Sequence, residues 1–211
     1  MNASSRQIGQ PARRVRRTPE EAKRLILETA RELVDRTGPQ GLRLQDIAAA
    51  AGISHPLILH HFASRAGLVR ALNRQAASEL RDRLVAAIAE PHYSLEAQLD
   101  QVFDAFRGGL AERLAWLAME DPDGGDADNP MILGEIGDIV HARRVAAAAP
   151  GGAPPRSDTD WLIHLVAVAA FGEALHGAKL RRSAGLDPGE ESARRFRQWL
   201  AALIRRHEGV G

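Results

Sequence analysis

With 211 residues, 45% hydrophobic and 26% charged side chains, the chain has the composition of an ordinary globular protein that can bury a sizeable core. It has no Cys, which excludes disulfides, thiolate nucleophiles and zinc–thiolate sites and suits a reducing cytoplasm. The net charge of +1 hides an asymmetry: residues 1–90 carry 15 Lys/Arg against 9 Asp/Glu, whereas residues 91–211 carry 13 against 18. A basic first part and an acidic remainder suit a nucleic-acid reader joined to a module that does not touch nucleic acid.

Residues 1–17 are polar and lack an apolar h-region, so no signal peptide is expected. Arg6, Arg13, Arg14, Arg16 and Arg17 make this a basic arm suited to phosphates or a minor groove. Thr18-Pro19-Glu20-Glu21 is a capping box with Pro at the first helical position. Ala22, Leu25, Ile26, Ala30, Leu33 and Val34 form the inner face of the helix it opens, and Gly38-Pro39 ends it. Leu44, Ile47, Ala48 and Ala51 predict a short second helix, and Gly52 turns the chain. Ser54 is the expected N-cap of a third helix, with Pro56 in its first turn. Ile58 and Phe62, four apart, bury that helix and leave His55, Pro56, Leu57, Leu59, His60 and His61 on its other faces. Two helices joined by a short glycine turn make a helix-turn-helix, whose second helix enters the DNA major groove.

A fourth helix is predicted from near Ser64 to about Ala89, with Leu68, Leu72, Ala76, Leu80, Leu84 and Ile88 every four residues. At roughly 37 Å it can reach from the reader into the rest of the chain. Helical patterning resumes at Ser94 with Leu95, Leu99, Val102, Phe103, Phe106 and Leu110, and Gly108-Gly109 kinks or splits it. Asp121 to Pro130 reads as a loop; a calcium loop fails there, because its fifth and twelfth positions would be Gly125 and Ile132. Asn129-Pro130 caps a helix carrying Met131, Ile132, Ile136, Ile139 and Val140, which ends in a Pro/Gly-rich linker around Pro150–Pro155. Two long helices close the chain, from about Asp158 to Arg182 and from Pro188 to about His207. The longest apolar stretch, Trp161 to Leu175, contains His164 and Glu173 and reads as too short to span a bilayer. No strand pattern is present, and the predicted fold is all-α.

The residues Arg43-Leu44-Gln45-Asp46-Ile47-Ala48, Ala51-Gly52-Ile53-Ser54, Ile58-Leu59-His60-His61-Phe62 and Ser64-Arg65-Ala66-Gly67-Leu68 resemble the DNA-binding domain of TetR/AcrR-type bacterial transcriptional regulators. Residue type and spacing agree across three helices, over roughly residues 20–75. The resemblance implies an N-terminal three-helix helix-turn-helix DNA-binding domain at 18–70, after the flexible basic arm of 1–17. It also implies a helical C-terminal ligand-binding and dimerisation domain at 71–211, with the last two helices pairing with those of a second copy. The fourth helix would link effector pocket to DNA. The sequence departs from the family pattern at three places: Arg43 stands where Thr is usual, Leu59 where Tyr is usual, and Ala66 where Glu is usual.

Candidate DNA contacts are Arg43, Gln45, Ser54, His55, Pro56, Leu57, Leu59, His61 and Arg65. His55 can donate or accept at a base edge, Pro56 and Leu57 suit a thymine methyl, and His61 and Arg65 suit phosphates. Candidate effector contacts are Phe103, Phe106, Trp116, Met119, His141, Trp161, His164 and Phe171, an apolar set with a few histidines. Candidate dimer contacts are Leu165, Phe196, Trp199 and Leu203. No metal site and no cofactor are expected: His55, His60 and His61 do not converge on a helix. No nucleophile–base pair, phosphate loop or H-E-x-x-H pattern argues for an enzyme.

The expected function is a cytoplasmic homodimeric repressor. It binds a palindromic double-stranded DNA operator, is released by a small hydrophobic effector, and has no membrane partner. The rival is a DNA-binding dimer with no small-molecule input, architectural or autoregulatory; the absence of a ligand-sized cavity would favour it.

Overall fold

A computed structural model describes residues 18–38, 42–89, 94–120 and 132–209. The basic arm, the Asp121–Pro130 loop and the Asn129-Pro130 cap with Met131 lie outside the described residues. Among the described residues there are nine helices and no strand: α1 Pro19–Thr37, α2 Leu44–Ala51, α3 His55–Phe62, α4 Arg65–Ala89, α5 Leu95–Ala105, α6 Leu110–Glu120, α7 Ile132–Ala147, α8 Arg156–Ser183 and α9 Glu190–His207. The fold is all-α, with an N-terminal helix-turn-helix and a helical C-terminal part.

The local signals act as the residues dictate. Thr18 Oγ1 accepts from the Glu21 N–H, and Glu21 Oε2 accepts from the Thr18 N–H at 2.8 Å, closing the capping box of α1. Ser94 caps α5 by accepting from the Ala97 N–H. The segment after Ser94 divides at Gly108-Gly109 into α5 and α6.

Two apolar cores result. The first joins Ile26, Ala30 and Val34 of α1, Ile47 of α2, Ile58 and Phe62 of α3, and Leu68, Val69, Leu72 and Ala76 of α4. It also takes in Leu110, Trp116 and Leu117 of α6, so the small N-terminal head does not close on itself. The second core gathers Leu84 and Ile88 of α4, Leu99, Phe103 and Ala105 of α5 with Phe106 just beyond it, Ile136 of α7, Ala170 of α8, and Leu200 and Ile204 of α9. α4 runs through both.

α8 is longer than its apolar stretch. At 28 residues it is, by length and composition, long and apolar enough to cross a membrane, and only 11% of its most apolar window is buried. The expectation that Trp161–Leu175 is too short to span a bilayer therefore needs correction: the whole helix, and not that stretch alone, has the length and composition to do so. It rests on α5, α6, α7 and α9 and turns Trp161, Leu165, Val168 and Leu180 outward.

The ends of α7, α8 and α9 meet at one carboxylate. Asp158 Oδ2 accepts from Arg144 Nη2 at 2.7 Å, and Asp158 Oδ1 lies 2.7 Å from His207 Nε2. Arg144 also donates to Thr159 Oγ1, which is fully buried, and to Glu208. The Arg144 bond first, then His207, holds the Asp158 carboxyl below the usual aspartate range. A depressed carboxyl contributes stability above its unfolded pKa, near ~3.9, and loses it as pH falls through the lower folded value. Asp158→Asn should therefore lower the urea midpoint at about pH 5, and the gap to the unsubstituted chain should narrow towards about pH 3. A gap that stays constant with pH would refute this.

Candidate functional site

The head presents α3 outward because its inner face is fully used. Ile58 and Phe62 are buried, as is Ile47 on α2. Gly52 closes α2 in the left-handed region, at φ 63° and ψ 36°, where a Cβ would be strained. The Ile53 N–H returns to the Ala48 carbonyl at 3.0 Å, which sets the angle between α2 and α3. On the other side of α3, Pro56, Leu59 and His60 are exposed, and His55, Leu57 and His61 are half-buried. Arg43 and Gln45 at the start of α2 are exposed as well.

Ser54 differs from expectation. It occupies the N-cap position of α3 with extended backbone, yet its side chain makes no cap bond. The Leu57 N–H is met instead by the Ser54 carbonyl at 3.0 Å, which leaves the hydroxyl exposed beside His55. The turn into α4 is tight. Ala63 has φ 62° and ψ −40°, a strained conformation for a residue with a Cβ, and Ser64 Oγ caps α4 by accepting from the Gly67 N–H at 3.0 Å. A Cβ at Gly67 would lie 1.9 Å from the Phe62 carbonyl oxygen, so only glycine fits there. Arg65 is engaged: its Nε donates to the Leu42 carbonyl at 3.2 Å, and its Nη1 donates to Glu120 Oε2, at the end of α6, at 2.7 Å.

The C-terminal part contains a cavity of about 590 Å³ between α5, α8, α9 and the α5–α6 turn. Of the apolar candidates, it gathers Phe103 and Phe106, with Ala170 and Ala174 of α8 beside them. The other six lie elsewhere. Trp116 is in the first core, Met119 and Trp161 are largely exposed, and His164 stacks edge-on against Trp161. His141 Nδ1 pairs with Thr159 Oγ1 at 3.0 Å, and Phe171 packs edge-on behind Phe106. The remaining cavity wall is charged: Arg107, Glu173, Arg181, Glu190 and Arg197. Sequence reasoning missed these, because Arg and Glu on amphipathic helices read as solvated faces. Arg197 is buried, with its guanidinium 5.9 Å over the Phe103 ring and its Nε on Asp100 at 2.5 Å. Glu190 is held below the usual glutamate range chiefly by Arg107, and also by Arg197.

Residues 26–72, from α1 to the start of α4, match the family described as bacterial regulatory proteins, tetR family. The match lies within the N-terminal head and covers 47 of the 211 residues. The HTH-type transcriptional regulator BetI of Escherichia coli is 31% identical over 101 residues, which is 46% of this chain and 52% of that protein. The chain thus spans about half the length of the curated relatives it matches. A transcriptional regulator from Rhodococcus sp. Rha1 shares the fold, with a TM-score of 0.63 at 15% identity, over 88% of this chain and 96% of that one. A TetR-like transcriptional regulator from Rhodococcus sp. RHA1 also shares it, with a TM-score of 0.52 at 19% identity, over 92% and 100%.

The head is bolted to the rest by one buried guanidinium. Arg113 of α6 donates to Asp35 of α1 at 3.1 Å and to Glu79 of α4 at 2.9 Å. Its side chain is 4% exposed, while the two carboxylates are about a third exposed. Glu79 also accepts from Arg83, whose Nη1 donates to the Ala105 and Arg107 carbonyls. A line of direct bonds therefore runs from α1 to the Arg107 backbone at the cavity wall. Arg113→Met would leave two carboxylates facing each other and should lower stability by about 2–3 kcal/mol in urea unfolding, less than a fully buried pair because water reaches both acids. An unchanged midpoint would show that the bolt contributes nothing.

Proposed function

We propose that the chain is a homodimeric transcriptional repressor that binds a palindromic operator through α3 and is released by a small molecule held in its C-terminal part. The observation that carries this reading is the head itself. Its apolar side is spent on the core, while His55, Pro56, Leu57, Leu59 and the Ser54 hydroxyl lie together on the outer side of a helix of major-groove size. Operator binding places the protein with DNA in the cytoplasm. The ligand-sized cavity weighs against a dimer with no small-molecule input.

The unpartnered faces support a second copy. Trp161, Leu165 and Val168 recur at i, i+4 and i+7 along α8, and Trp199 on α9 is exposed and stacked on Phe196. A hollow of about 290 Å³ between α8 and α9, with Trp161, Leu165 and Leu203 in its wall, can take a partner's side chain. Two copies joined there bring two heads to successive major grooves, about 34–36 Å apart. Leu165→Asp with Trp199→Glu should yield a helical monomer by analytical ultracentrifugation that no longer binds DNA tightly. A persistent dimer would move the interface elsewhere.

Arg65 faces a choice between partners. Its charge is shared with Glu120 at the end of α6, so the position of α6 bears on the charge available at the head. An effector acts here with no more than its differential affinity for the two arrangements.

The test is selection of bound sequences from a random duplex library by the purified chain at physiological salt. An inverted repeat should emerge with half-sites about one helical turn apart. His55→Ala should then alter preference among sequences, whereas Arg65→Ala should weaken binding to all of them and lower the salt slope by about 1. Binding without any motif would overturn the repressor reading in favour of an architectural role.

A further inference from the structure

The charges around the cavity limit what can enter it. Arg107, Lys179, Arg181 and Arg197 face it, against Glu112, Glu173 and Glu190. Two of the three acids are already spent. Glu190 accepts from Arg107 at 2.6 Å and from Arg197 at 3.2 Å, and Glu173 accepts from Arg181 Nη1. Arg181 Nη2 is fixed on the Pro188 carbonyl at 2.9 Å. Its Nε is buried and has no acceptor. A buried donor without a partner is costly, and an acceptor that reaches it as the Arg181 side chain shifts removes that penalty. Lys179 stands exposed on the same helix, two residues earlier. Glu112, on the α6 side, is exposed to water.

We propose that this cavity binds a small amphipathic carboxylate, its anionic head between Arg181 and Lys179 and its apolar tail along Phe103, Phe106 and Ala174. The wall has one apolar side and one basic side, so an acid with a short hydrocarbon or aryl tail matches both at once. A cation would meet only Glu112 as an unspent acid, with water competing for it. A neutral apolar molecule would leave the Arg181 Nε unsatisfied. The acceptor would join a wall that is already linked, through the Arg107 carbonyl, to Arg83, Glu79 and Arg113. The inference rests on the reading that this part of the chain receives a small molecule.

Isothermal titration of the full chain tests it, with octanoate, decanoate and 4-phenylbutyrate as probes, each beside its amide and its primary amine. At least one carboxylate should bind below about 1 mM and more tightly than its amide and amine. Arg181→Lys, which keeps the charge and the reach to Glu173 but lacks the Nε donor, should weaken it about tenfold. The exposed Lys179→Met should weaken it by a similar factor without lowering the melting temperature. Ala174→Phe, which fills the apolar side, should abolish it. The assignment is overturned if no carboxylate binds, if the amine binds as tightly as the acid, or if Lys179→Met and Ala174→Phe both leave affinity unchanged. The last result would mean adsorption elsewhere, as on the outer face of α8. Repeating the titration in the presence of selected operator duplex separates the two readings: carboxylate binding that leaves operator affinity unchanged sinks the effector role and leaves the site in place.

Discussion

Arg113 is the constraint on which the arrangement of the two parts depends. A guanidinium taken almost wholly out of water is tolerated only because two carboxylates, from two other helices, complete it. Replacing a whole buried ion cluster, acids and base together, with well-packed apolar side chains is often neutral or better for stability, so what the cluster provides is geometry. Its planar fork reaches α1 and α4 at once and leaves α6 one register against the head. The apolar contacts around it, Leu110, Trp116 and Leu117, are less directional and would tolerate sliding.

That bolt makes α6 a member of both parts. Its first residues follow the α5–α6 turn at the cavity, its middle completes the core under α1 and α4, and its last residue, Glu120, holds Arg65 just beyond α3. The head therefore has no independent core whose stability could insulate it from the rest. A shift of α6 must change the first core, the Asp35–Arg113–Glu79 bonds and the Arg65–Glu120 pair together. Packed interiors resist gradual deformation and favour discrete alternatives, which is the condition for one site to bias another.

The C-terminal part divides its polar and apolar surfaces unusually. Ion pairs stand at and beside the cavity: Arg107–Glu190, Arg197–Asp100 and Glu173–Arg181. Large apolar side chains such as Trp161 and Val168 stand on the outside.

Much of this was legible in the sequence wherever the signal is local. The Thr18 capping box, the left-handed Gly52, the pairing of Ile58 with Phe62 and the division at Gly108-Gly109 each depend on residues within a few positions, and each formed as expected. The similarity to the TetR family lies in the same short stretch and has the same origin. The extent of α8, expected from about Asp158 to Arg182 and observed at Arg156–Ser183, was legible too; what the apolar middle hid is that the whole helix is long and apolar enough to cross a membrane. Ser54 kept its cap position but not its cap bond, a matter of side-chain rotamer that residue type does not decide. Only the tertiary structure determined what Arg113, Arg65 and the cavity wall do. The partners of Arg113 are 78 and 34 residues away, that of Arg65 is 55 away, and Arg197 finds Asp100 at 97. A charged residue on a helix looks the same in sequence whether it faces water or a distant carboxylate, and only the packing of helices decides which.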